Sequence, residues 1–124
     1  MNPEVLLVLS TFPDQATATR IAREIVTEQL AACANITAPV QSIYRWQRKV
    51  EEAVETMVFF KTTPERFEEL ERKLRSLHPY DVPEIIALPV TDGAPDYLRW
   101  VNESCSAAPQ PQDDKADSFV GGGT

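Results

Sequence analysis

Histidine occurs once in this chain of 124 residues, cysteine twice and glycine four times. Each scarcity closes a class of function. Cys33 and Cys105 make no disulfide framework and no Cys-x-x-Cys metal or redox spacing. They are expected to be thiols in a reducing compartment. A lone His78 offers no paired-imidazole metal motif. Three of the four glycines lie together at Gly121 to Gly123, which leaves no glycine-rich loop to cradle a phosphate. Basic residues are also in deficit: 12 Lys and Arg against 19 Asp and Glu leave a formal charge of −7. A nucleic-acid binder usually presents a basic face, so no nucleic-acid partner is expected. No apolar run approaches the roughly 18 residues of a membrane span, so no membrane partner is expected either. Val5 to Leu9 is too short, and Met1-Asn2-Pro3-Glu4 too poor in base, to form a signal peptide. The expected location is cytoplasmic.

What is present is well ordered. Val5-Leu6-Leu7-Val8-Leu9 reads as a buried strand. Pro13-Asp14 supplies a turn and a helix cap. Ala18, Ile21, Ala22, Ile25 and Val26 then recur at helical spacing. Leu30 to Ile36 and Val40 to Trp46 read as strand, with a bend at Thr37-Ala38-Pro39 and a polar hairpin tip at Gln47-Arg48-Lys49. Val54 to Thr62 returns as strand. Thr63-Pro64-Glu65 opens a second helix, with Thr as cap, Pro in the first turn and Glu opposing the dipole. Phe67, Leu70, Leu74 and Leu77 form its apolar stripe. The residue before a proline is pushed out of the helical region. His78-Pro79 therefore ends that helix near Leu77, and Val82-Pro83 keeps the following segment extended. Glu84 to Val90 is a further strand, and Asp92-Gly93-Ala94-Pro95 turns into a last helix bearing Tyr97, Leu98, Trp100 and Val101.

The order β-α-β-β-α-β plus a C-terminal helix predicts an α+β fold, the ferredoxin-like split βαβ sandwich. Its antiparallel sheet of four strands carries the two main helices on one face. Residues 1–105 form this domain. Residues 106–124 are rich in Pro, Asp, Ala and Gly, lack apolar periodicity and are expected to form a disordered tail. Two helices cover one sheet face only. The long aromatic-bearing strands around Tyr44 to Phe60 therefore predict burial against other copies of the chain.

Five segments, in register from about residue 4 to 104, resemble the CutA family of divalent-cation tolerance proteins. They are Leu30-Ala31-Ala32-Cys33-Ala34-Asn35-Ile36, Ser42-Ile43-Tyr44-Arg45-Trp46-Gln47, Phe60-Lys61-Thr62, His78 to Ile86, and Asp96-Tyr97-Leu98-Arg99-Trp100. The resemblance implies a ferredoxin-like homotrimer with strand edges paired between subunits. It also implies an architecture similar to the PII signalling proteins, which bind small ligands between subunits. Copper binding is ascribed to some members, through a cysteine at the end of the first strand and two adjacent histidines before the proline. Here Ser10 and Leu77 replace two of those ligands, and His78 alone remains. No cofactor is obligatory on this resemblance, and a divalent cation such as Cu2+ is one possible ligand.

The candidate ligand-binding residues are Tyr44, Trp46, Lys61, His78, Tyr80 and Glu84, with His78 as the candidate metal ligand. Each has a plainer alternative. His78 can be a helix-terminal imidazole satisfied by a carbonyl. Lys61 can pair with a carboxylate such as Glu55 or Glu84, within the chain or across a subunit boundary, and Glu84 with Tyr80 or Lys61. Tyr44 and Trp46 can be interface anchors. Cys33 reads as a small buried hydrophobe and Cys105 as incidental. Ser10, His78 and Asp81 could be assembled into a hydrolytic triad, but no nucleophile elbow marks one, so an enzyme is not expected.

Overall fold

The computed structural model describes residues 4–106; the expected tail, apart from Ser106, lies outside the described residues. Strand β1 (Val5–Phe12) leads to helix α1 (Gln15–Thr27), then strands β2 (Cys33–Ile36), β3 (Val40–Trp46) and β4 (Lys49–Thr62). Helix α2 (Pro64–Leu77), strand β5 (Ile86–Val90) and helix α3 (Pro95–Ser104) follow. The strands pair antiparallel in the order β2-β4-β1-β5, and β3 pairs with the first half of β4. This is the expected ferredoxin-like α+β arrangement, with the second strand broken in two at Thr37-Ala38-Pro39.

Local chemistry sets each helix. The Asp14 carboxylate accepts the Thr17 N–H at 2.7 Å and caps α1. Ala18, Ile21, Ala22 and Ile25 form its buried stripe. Pro64 occupies the first turn of α2, where its missing N–H costs nothing. Thr63 precedes it in extended conformation, but its hydroxyl makes no capping bond, contrary to the expectation. Leu70 and Leu74 are fully buried, and Lys73 reaches Glu24 at 3.0 Å and Glu28 at 3.2 Å, strapping α2 to α1.

Boundaries moved where polarity disguised pairing. β4 starts at Lys49 rather than Val54, because Trp46 pairs with Lys49 around a two-residue turn. Gln47 and Arg48 both hold positive φ, 50° and 70°, the conformation such a tight hairpin turn demands. β5 begins at Ile86, two residues later than expected, after Pro83 and Glu84.

Side-chain alternation divides the sheet into two faces. Val8, Phe12, Val58 and Phe60 point into the core beneath α1 and α2. The opposite face follows from the strand register. Leu88, Leu7, Lys61 and Cys33 form one cross-strand row, and Ile86, Leu9, Phe59 and Asn35 the next. Ile86 and Leu88 are 49% and 46% exposed. A smaller core of Val5, Leu98, Val101 and Cys105 seats α3 at the end of the sheet. Cys105 is therefore a fully buried packing residue rather than an incidental one.

Candidate functional site

The His78 corner is built by three elements. α2 ends at Leu77, and His78 turns extended at φ −71° and ψ 136° while its N–H still bonds the Leu74 carbonyl at 2.9 Å. The imidazole then folds under the end of β1. It stacks on Phe12 with centroids 4.6 Å apart and planes 18° from parallel. Nε2 lies 2.8 Å from the Thr11 carbonyl oxygen, and Nδ1 lies 3.2 Å from the Tyr80 backbone nitrogen. A carbonyl can only accept and a backbone N–H can only donate. The tautomer is thereby fixed: Nε2–H donates to Thr11, and Nδ1 accepts from Tyr80. Burial lowers the His78 pKa below 6.5, opposed by the Thr11 carbonyl and the charge of Glu55.

Tyr80 extends the corner toward β3 and β4. Its ring lies 4.8 Å from His78, and its hydroxyl donates to Glu55 Oε2 at 2.7 Å. Burial and that bond to the carboxylate both push the phenol pKa far above 10. Glu55 is a member of this corner that the sequence does not single out for Tyr80. Tyr44, Trp46 and Glu55 lie on one face of the β3–β4 ribbon by alternation, with Tyr44 and Trp46 43% and 49% exposed.

Lys61 stands apart. It lies six residues beyond Glu55 on β4, about 20 Å along the strand. Its Nζ donates to Asn35 Oδ1 at 2.8 Å and sits 5.8 Å from the centre of the Tyr97 ring. The Tyr97 hydroxyl is 3.7 Å from the half-buried Cys33 sulfur. Lys61 thus pairs with neither Glu55 nor Glu84 within the chain. Glu84 is exposed and Tyr80 uses Glu55 instead. The six candidate residues accordingly form no single pocket in one chain. A depression of about 840 Å³ runs along the exposed side of α1 from Gln15 to Glu28 and includes none of them.

The family model described as CutA1 divalent ion tolerance protein matches residues 6–104. The chain belongs to that family. It is 46% identical over 98 residues to the divalent-cation tolerance protein CutA of Thermus thermophilus, covering 79% of this chain and 95% of that one. Among solved structures, CutA1 of Oryza sativa superposes with a TM-score of 0.82 at 34% identity, covering 86% of this chain and 98% of that one. The periplasmic divalent cation tolerance protein CutA of Archaeoglobus fulgidus gives 0.79 at 33% identity, covering 82% and 99%.

Within this CutA1 member, the donors for copper do not fit. Both His78 nitrogens are committed, Leu77 is apolar and Ser10 is fully buried on the core face of β1. No group of three or more His, Cys, Asp or Glu among the described residues could hold a metal ion. Copper(II) favours several nitrogen, oxygen or sulfur donors around it.

Two predictions arise at this corner. Among the described residues, the buried Ser10 hydroxyl has no hydrogen-bond partner. Ser10→Ala is expected to raise stability by about 1 kcal/mol, since an unsatisfied buried hydroxyl costs about that much or more. A lower urea midpoint in the variant would show that the hydroxyl has a partner such as a buried water. The second concerns pH. Because the folded His78 pKa lies below 6.5, the unfolded chain takes up a proton first. Stability held above that pH is therefore lost as pH falls through the folded pKa. Urea midpoints should decline below about pH 6.5, and His78→Gln should flatten that decline; an equal decline in both proteins would clear His78 of the effect.

Proposed function

We propose that this chain works in divalent-cation tolerance as a homotrimer that binds a small ligand or cation in clefts between subunits, in the manner of a carrier or PII-like signalling protein rather than an enzyme. One observation carries the reading. The surfaces bearing the candidate residues are apolar and uncovered in the single chain: Ile86 and Leu88 on the sheet, and Ile43, Tyr44, Trp46, Val50 and Val54 on the β3–β4 arm, are 43–67% exposed. Large apolar side chains left exposed on the sheet and on both faces of the arm favour association. Residues about 20 Å apart along one chain can meet only across copies.

A divalent cation such as copper(II) entering such a cleft would find exposed carboxylates such as Glu84 rather than His78. Calorimetric titration of copper(II) is accordingly expected to be the same for the wild type and His78→Gln. Two unpaired thiols agree with a reducing cytoplasm. Sedimentation equilibrium of the full chain tests the central reading. A species of three times the chain mass is expected, and a folded monomer at micromolar concentration would overturn it. The alternative, a structural or partner-binding trimer without a ligand, follows if thermal-shift screens of trimer against nucleotides, small carboxylates and cations are flat.

A further inference from the structure

We propose that Lys61 is a carboxylate-binding position on the second face of the sheet, an inference resting on the reading that other copies cover this face. The argument starts from alternation. Phe60 enters the core, so Lys61 must point to the opposite side of β4. There it occupies a row with Leu88, Leu7 and Cys33, next to the row of Ile86, Leu9, Phe59 and Asn35. It is the one charged residue in these two rows. Its ammonium has three hydrogens to donate, and one goes to the neutral amide of Asn35. The Tyr97 ring at 5.8 Å supplies an apolar wall with a weak attraction for the cation. Among the described residues no carboxylate lies within 4.0 Å of Nζ.

A half-exposed lysine tolerates this in water. A covered one does not, because burying a charge beside leucine and phenylalanine without a counter-charge is strongly unfavourable. Whatever covers the face must bring an anion to Lys61. Carboxylate fits best. One point-like ammonium with an amide neighbour matches a single negative oxygen. Neither row contains the arginine fork that favours phosphate. Carboxylates are also plentiful on each copy, 19 against 12 basic residues. The carboxylate can come from a side chain of the neighbouring copy or from a free small acid lodged in the cleft.

The experiment compares full-length wild type, Lys61→Met and Lys61→Arg. Sedimentation gives the oligomer, and thermal unfolding is followed with and without malonate, citrate or glutamate at matched ionic strength. If a neighbour supplies the carboxylate, Lys61→Met weakens assembly by roughly tenfold or more, as expected for a stranded ion-pair partner. Lys61→Arg then largely restores assembly, and free acids shift nothing. If a free acid is the ligand, at least one raises the wild-type Tm by several degrees. That shift disappears in Lys61→Met and persists in Lys61→Arg, while assembly is unchanged. Either pattern supports the site. The proposal is overturned if Lys61→Met assembles like wild type and no acid shifts the wild type. Should Lys61→Met fail to fold, Lys61→Gln takes its place. A monomeric wild type would remove the covering reading separately, leaving the acid-induced shift to judge Lys61 alone.

Discussion

Truncating Phe12 to alanine is expected to lower stability by about 3–5 kcal/mol. Phe12 is fully buried in the main core, and its ring also carries the imidazole of His78. The truncation therefore opens a cavity and removes the platform on which the corner is stacked. A second effect distinguishes this site from other core positions. With the platform gone, His78 becomes wetter and its pKa should rise back toward 6.5, so the loss of stability below that pH should shrink. Urea unfolding at about pH 7.5 and pH 5.5, at one fixed chain concentration, measures both. A large loss with the pH dependence intact would mean that burial of His78 does not depend on Phe12.

Ile86→Asp is expected to leave a folded monomer where the proposed trimer would otherwise form. Ile86 lies opposite Leu9 in the apolar row that continues to Phe59, and in the single chain it is 49% exposed. A carboxylate there stays hydrated in the monomer. Covered by another copy it would be buried without a partner, at a cost of several kcal/mol for each chain. The variant should keep its circular dichroism spectrum yet sediment at the mass of one chain. Wild-type sedimentation by Ile86→Asp would show that this face is not the covered one.

Much of the fold was legible because local rules act over a few residues. Asp14 and Pro64 start helices, the His78-Pro79 bond ends one, and the apolar stripes announced α1 and α2. The first half of β4 was not legible. The expected strand began only at Val54 and omitted Glu51 and Glu52, which pairing with β3 makes strand. The corner was half legible. His78-Pro79-Tyr80 stood out as a junction, but Glu55 as the acceptor for Tyr80 did not, since 25 residues separate them and no spacing rule links them. Within the single chain His78 has a carbonyl partner, as in the plainer of its alternatives. Its satisfying carbonyl belongs to Thr11, at the far end of the chain in sequence and adjacent only in the folded state.

Composition and periodicity by themselves settled an α+β chain with helices on one sheet face and the order of its elements, while the family was legible only in the resemblance of five segments. They could do so because proline geometry, capping and alternation of side chains are near-neighbour physics. Which groups meet across long sequence separations was decided only by strand register and packing. That folding step closed both nitrogens of His78, buried Ser10 without a partner among the described residues, and left Lys61 as a cation in an apolar face.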